Sequence, residues 1–130
     1  MTQDEQLDAK RLAVTWLRQA RGFSDCPDQA VEALVAAGQM RKLSRGEVLV
    51  SRGQVFDRLG LVLHGVLEVS VSQLNGRRFL IAHMHEGDVV GVLSLFGQSP
   101  QASDLLAREV QTQVLLVPGS ECRQLLALHP

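Results

Sequence analysis

Hydrophobic residues near the start of the chain recur with the spacing of a helix. Between residues 5 and 21 they stand three and four positions apart, which predicts an amphipathic helix that Gly22 can end. Its apolar side contains Ala9, Leu12, Ala13, Trp16, Leu17 and Ala20. A second helix with the same kind of stripe follows Pro27 and ends at Gly38.

After Gly38 the pattern changes to the two-residue period of β-strands. Residues 66–72 are the clearest case, because Leu67, Val69 and Val71 alternate there with Glu68, Ser70 and Ser72. The predicted strands are 47–50, 59–63, 66–72, 78–84, 89–90, 105–110 and 112–117. Pro118 then opens a last helix. Many short strands separated by glycines predict a mainly β fold, an antiparallel sandwich or barrel with helices at both ends.

Asn75 and Gly76 stand between the predicted strands 66–72 and 78–84. Asn-Gly is the strongest short signal for a hairpin turn, since both residues tolerate a positive φ. We therefore expect a two-residue turn in which Asn75 and Gly76 both have a positive φ.

Size and charge restrict the class of protein. The chain has 130 residues, 45% of them hydrophobic and 21% charged, which is typical of one globular domain. With a net charge of −1, the chain lacks the basic field of a free-standing nucleic-acid binder, so we expect no nucleic-acid contact through this chain itself.

The N-terminus has no signal-peptide pattern, and the apolar runs are too short to span a membrane. We expect a cytoplasmic protein.

Reactive side chains are sparse and scattered. Cys26 and Cys122 have neither disulfide-scaffold nor metal-ligand spacing, and we expect an inert thiol and a core thiol. His83 and His85 share one face of a predicted strand, but no third ligand is evident, so we expect no metal site. No residues stand in a defensible nucleophile or acid–base arrangement. The chain is therefore not expected to be an enzyme, including a cupin-type enzyme, which would need more metal ligands.

The ordered glycine turns resemble those of the cyclic-nucleotide-binding domains of the catabolite-activator/Fnr (Crp/Fnr) family. The residues that carry the resemblance are Gly46, Gly53, Gly65, Asn75, Gly76, Gly87, Asp88 and Gly91. The resemblance covers residues 23–130, after an N-terminal amphipathic helix in residues 1–22. It implies an antiparallel double-stranded β-helix, a jelly-roll-like β-roll. It also implies that the DNA-binding domain of such regulators lies outside this chain.

The resemblance further implies a phosphate-binding cassette that holds a cyclic nucleotide. The cassette positions are Gly91, Val92, Leu93, Ser94, Gln101, Ala102 and Ser103. In the family a Glu binds the ribose hydroxyl and an Arg binds the phosphate, whereas this chain has Val92 and Gln101 there. Each lost charge-assisted contact is worth roughly 1.5–3 kcal/mol. The two losses together reduce affinity by about 10²–10⁴, unless another cation such as Arg108 reaches the phosphate.

Two hypotheses of function follow. The first is a regulatory sensor domain of a Crp/Fnr-like transcription regulator, with weak or no binding of cyclic AMP. The alternative is a degenerate roll that acts as a protein-interaction or dimerisation module without a small-molecule ligand. The expected partners are accordingly a small anionic ligand or a second copy of the chain, with no membrane.

Overall fold

Four helices and eight strands make up the described part of the chain. The structure, a computed structural model, describes residues 2–20, 23–97 and 99–128, without the side chains of Leu93, Ser94, Phe96 and Leu126. The helices are α1 (Gln3–Gln19), α2 (Asp28–Ala37), α3 (Val92–Gly97) and α4 (Gly119–Leu128). The hydroxyl of Thr2 accepts a hydrogen bond from the N–H of Glu5 and caps α1. The expected stop at Gly22 lies outside the described residues.

Eight strands form two antiparallel sheets of four strands each. The strands are β1 (Gln39–Leu43), β2 (Val48–Val50), β3 (Arg58–His64), β4 (Leu67–Ser72), β5 (Arg78–Met84), β6 (Val89–Val90), β7 (Asp104–Ala107) and β8 (Thr112–Pro118). The inner sheet has the order β1-β8-β3-β6, and the outer sheet has the order β2-β7-β4-β5. The predicted mainly β roll with flanking helices is confirmed.

The inner sheet separates two hydrophobic cores. Strand β8 points Leu115 and Val117 toward the helices, while Val114 and Leu116 point into the space between the sheets. The helical core contains buried residues of α1, α2 and α4, and Trp16 packs against it. Because the inner sheet is covered on both faces at β3 and β8, these two strands are apolar at consecutive positions instead of alternating.

The hairpin between β4 and β5 differs from the prediction. Gly76 has a φ of +83°, but Asn75 does not have a positive φ. The N–H of Gly76 donates to the carbonyl of Gln73 over 3.0 Å, and the N–H of Gln73 donates to the carbonyl of Arg77 over 2.7 Å. The loop therefore has three residues, a turn followed by a left-handed glycine. Asn75 contributes its side chain, which accepts from the N–H of Arg77.

The glycine turns occur where the sequence places them. Every positive-φ glycine among the described residues belongs to the series that carries the family resemblance. These glycines are Gly46, Gly53, Gly65, Gly76, Gly87 and Gly91. The series therefore marks turns whose backbone conformation other residues rarely adopt.

The sequence pattern missed one strand and misplaced the end of another. Strand β1 was not predicted, because its exposed positions are polar or charged and only Leu43 is buried. Strand β7 ends at Ala107, not at residue 110. The chain turns there, with Gln111 at a φ of 61° and the hydroxyl of Thr112 donating to the carbonyl of Glu109 over 2.8 Å.

No helix in the described part of the chain is both long and apolar enough to span a bilayer.

Candidate ligand site

The cassette begins where β6 passes into α3 through Gly91. This glycine has a φ of +88°, and a Cβ placed on it would lie 2.5 Å from the carbonyl oxygen of Arg58 and 2.7 Å from the ring of Phe56. A larger residue therefore has neither the backbone conformation nor the space. The carbonyl of Gly91 accepts the N–H of Leu95 over 3.0 Å, which is an early hydrogen bond of α3.

The other side of the cassette is the segment from Gln101 to Ser103. The backbone of Gln101 is held from both directions: its N–H donates to the carbonyl of Gln54, and its carbonyl accepts from the N–H of Gly53, each over 2.8 Å. These bonds attach the segment to the turn that precedes β3. These backbone hydrogen bonds therefore fix the position of the chain just before Ser103.

Asp104 fixes the segment from the following position. Its carboxylate accepts from the backbone N–H of Arg52 over 2.6 Å and from the guanidinium of Arg78 over 3.0 Å. Arg78 also donates to the hydroxyl of the fully buried Ser70 over 2.9 Å. These hydrogen bonds link β5, β4 and β7. They engage the guanidinium of Arg78, which does not line the cassette cavity.

A cavity of about 250 Å³ lies between the two sides of the cassette. Its described lining residues are Val69, Met84, Val89, Val90, Gly91, Val92, Gln101, Ser103 and Leu105. Of the predicted site residues, Gly91, Val92, Gln101 and Ser103 are thus brought together. Ala102 is exposed and is not a lining residue.

The side chains of Leu93 and Ser94 lie outside the part of the structure that is described. Sequence reasoning about the cassette missed Val69, Met84 and Leu105, which line the cavity from the outer sheet. The alternation along β4 places Val69 on the apolar face and was the signal available for it.

The cavity is uncharged over its described lining, since none of those residues is acidic or basic. Val92, in the position of the family's Glu, is 39% exposed. Arg108 does not line this cavity: its guanidinium lies 3.2 Å from the carboxylate of Glu68, and it lines a separate cavity together with Arg45. Arg108 is therefore not placed as a substitute for the missing arginine.

Ser103 is the buried polar group of the cavity. The residue is 6% exposed, and its hydroxyl has no hydrogen-bond partner among the described residues. The unpaired hydroxyl beside a cavity is available to a molecule that enters it.

The histidines predicted to lie side by side do so. The rings of His83 and His85 are 6.2 Å apart in an edge-on arrangement, and His83 Nε2 is buried without a hydrogen-bond partner among the described residues. His64 instead lies 3.3 Å from the carboxylate of Glu86. Within the described residues no three His, Cys, Asp or Glu side chains are grouped so that they could hold a metal ion.

The cysteines belong to the helical side of the molecule. Cys122 is fully buried in the helical core, as predicted, and burial raises the pKa of its thiol to about 11. Cys26 is partly buried and packs against the same core. A thiol with a pKa this high is protonated at neutral pH, and the thiolate is the reactive form.

Comparison with known proteins identifies the family of the domain. The family described as "Cyclic nucleotide-binding domain" matches residues 40–129. The "cAMP-activated global transcriptional regulator CRP" of Salmonella typhimurium is 20% identical over 103 residues, which are 79% of this chain and 49% of that protein. The "HTH-type transcriptional regulator Cmr" of Mycobacterium tuberculosis is 30% identical over 100 residues, 77% of this chain and 40% of that protein.

Solved structures share the fold. "cAMP bound PfPKA-R (141-441)" has a TM-score of 0.84 and 18% identity, over 96% of this chain and 43% of that one. A cAMP-bound mutant of the "regulatory subunit of a cAMP-independent protein kinase A" from Trypanosoma brucei has a TM-score of 0.77 and 15% identity, over 95% of this chain and 45% of that one.

The chain spans about half the length, or less, of these curated relatives. Those relatives are regulators, and the resemblance to Crp/Fnr-type proteins is confirmed. The chain has an antiparallel roll with positive-φ glycine turns and a cassette cavity, and the family matches it across residues 40–129. It therefore belongs to the cyclic nucleotide-binding domain family.

Proposed function

We propose that this chain is the effector-sensing domain of a Crp/Fnr-like transcription regulator, and that it binds cyclic AMP weakly or not at all. One observation supports this proposal above all. The cavity at the cassette is present, but its described lining contains neither a carboxylate for a ribose hydroxyl nor a cation for a phosphate. Occupancy of the cavity would shift the arrangement of the flanking helices, which is how such a domain passes on a signal.

The energetics favour weak binding. A phosphate that enters this cavity leaves water and, over the described lining, gains no opposite charge. Such a transfer is unfavourable unless the charge is paired and hydrogen-bonded. The comparisons favour treating fold and ligand separately. One relative is described as cAMP-activated, while a protein that shares the fold, and whose structure is a mutant bound to cAMP, is described as cAMP-independent.

Titration calorimetry with cyclic AMP tests the proposal. We expect no saturable heat below about 1 mM, because the two missing charge-assisted contacts reduce affinity by roughly 10²–10⁴. The double variant Val92→Glu with Gln101→Arg should bind at least about tenfold more tightly than the unmodified chain. A low-micromolar dissociation constant for the unmodified chain would contradict the proposal.

A matched control separates the cassette from a general effect of charge. The double variant Val110→Glu with Gln73→Arg makes the same two chemical changes at residues that do not line the cavity. Val110 is exposed, so these changes do not disturb a core. We expect this control to bind cyclic AMP no better than the unmodified chain.

The alternative, a dimerisation module, has a specific observation in its favour. Strand β5 is at the end of the outer sheet, and Phe79, Leu80 and Ile81 are 59%, 53% and 60% exposed. A long, exposed, apolar edge strand is a template for pairing with another strand. The occupant we favour is a second copy, because residues 79–82 carry no charge and an antiparallel pair centred on Leu80 places Phe79 opposite Ile81 of that copy.

The mass of the protein in solution tests this alternative. If β5 pairs with itself, the chain is a dimer in analytical ultracentrifugation at about 100 µM, and Leu80→Lys makes it a monomer because lysine blocks edge pairing. Leu74→Lys, at the fully exposed tip of the hairpin, should leave the dimer intact. A monomeric unmodified chain would contradict the alternative and leave the sensor proposal standing.

A further inference from the structure

We propose that the cassette cavity binds a small, uncharged, largely apolar molecule with one hydrogen-bonding group, and that this group pairs with the hydroxyl of Ser103. The inference rests on the proposed function, since it names the class of effector for the same site. It replaces the anionic ligand that the family resemblance implies with a neutral one.

The walls of the cavity are largely apolar. Val90 and Leu105 are buried, and Val69 and Met84 pack against the same roll core. Val89 and Val92 complete an apolar surface that an apolar ligand would remove from water. An ionised group has no opposite charge among the described lining residues, so no side chain there can form an ion pair with it.

Ser103 provides a hydrogen-bonding group in this cavity. The residue is 6% exposed and lines the cavity, and its hydroxyl has no partner among the described residues, although a hydroxyl can donate one hydrogen bond and accept two. A ligand hydroxyl, amide or carbonyl would satisfy it. The same hydroxyl therefore selects a ligand with one polar group over an equally sized hydrocarbon.

The size of the cavity limits the ligand. A dry protein cavity of roughly 150 Å³ holds one benzene molecule. The cavity here measures about 250 Å³ and is open to solvent, so a single ring with a substituent fits in it without being fully enclosed. Phenol and toluene are suitable probes, since they have the same shape and differ in the hydrogen-bonding group.

A titration followed by ¹H–¹⁵N NMR tests the inference on the whole chain. Phenol should shift the amides of Gly91, Val92 and Ser103 saturably, with a dissociation constant in the millimolar range expected of so small a probe. Toluene should bind about fivefold more weakly, because it cannot pair with the hydroxyl. Phenyl phosphate, which adds a charge to the same ring, should give no saturable shift at these residues.

Variants assign the hydrogen bond to Ser103. Ser103→Ala should weaken phenol about fivefold and leave toluene unchanged, while Ser103→Cys, a weaker donor of similar shape, should lie between. Ser72→Ala, on an exposed residue that does not line the cavity, should change neither probe. A proportional loss of both probes in Ser103→Ala would overturn the assignment.

Failure of this inference is distinguishable from failure of the proposed function. If phenol gives no saturable shift, or phenyl phosphate binds more tightly than phenol, the neutral-ligand inference is overturned. If cyclic AMP, titrated into the same sample, saturates these amides at low-micromolar concentration, the proposed function is overturned as well. Phenol binding without cyclic AMP binding supports both.

Discussion

Gly91 joins β6 to α3 at a point where the chain has no room for a side chain. We expect Gly91→Ala to destabilise the protein more than Gly76→Ala, as measured by urea unfolding. Both residues have a positive φ, which costs a non-glycine residue roughly 1–2 kcal/mol. Only at Gly91 does the new Cβ also meet a backbone oxygen and an aromatic ring, which adds roughly 1–3 kcal/mol.

Gly76 is a clean reference for this comparison, because a Cβ there meets no atom within 4 Å. Equal losses of stability in the two variants would mean that α3 moves to make space, and that the entrance to the cassette is not fixed. The NMR spectrum of Gly91→Ala, with shifts either confined to residues near Phe56 or spread across α3, would then locate the movement.

Single residues show which part of the site the sequence could predict. The departures at Val92 and Gln101 are visible in the sequence, because the family resemblance implies a Glu and an Arg at those positions. The unpaired hydroxyl of Ser103 is not visible there, since it depends on which donors and acceptors are absent around it. The position of Arg108 beside Glu68 depends in the same way on neighbouring strands.

At the scale of elements, the ion pair between Asp57 and Arg123 ties the segment before β3 to α4. The guanidinium donates to both carboxylate oxygens, over 2.6 and 3.3 Å, and these bonds lower the pKa of Asp57 below its ordinary value. The unfolded chain therefore binds a proton at Asp57 more readily than the folded chain does. Acid removes the stabilisation for that reason.

We expect the stability difference between the unmodified chain and Asp57→Asn to be constant above the ordinary carboxyl pKa of about 3.9. It should fall as the pH is lowered through the reduced pKa of the folded state, and thermal melts from pH 7 to 2.5 measure it. Asp25→Asn is the control, since Asp25 is exposed and has no hydrogen bond or ion pair with the described residues. A difference independent of pH would mean that the ion pair contributes nothing.

Elements differ in how far the sequence determines them. Alternation identified β4 correctly, yet Ser70 on its polar face is fully buried, because Arg78 extends across it to Asp104. Strand β1 has no alternation to detect, and its pairing with β8 supplies its regular structure. Local pattern predicts a strand where one face is buried, but not where pairing alone holds the backbone.

At the scale of the whole molecule, the order of the strands brings distant segments to one site. The cavity draws on β4, β5, β6, the start of α3 and the segment before β7. The family resemblance predicted the two cassette segments but not the walls from β4, β5 and β7, and the hydrophobic pattern alone predicted only an antiparallel sandwich or barrel. Residue alternation shows which side chains of a strand lie on its buried face, but it does not determine the order in which the strands pair.

The inner sheet, covered on both faces, has a consequence for how the protein loses its structure. Since β8 supplies side chains to both cores, neither core can be exposed while the other stays intact, and the domain should unfold as one cooperative unit. The single tryptophan, Trp16, lies on the helical side, so its fluorescence monitors that core, while far-ultraviolet circular dichroism follows the whole backbone. The two signals should give the same midpoint in denaturant, and separate midpoints would show that the helices detach before the roll opens.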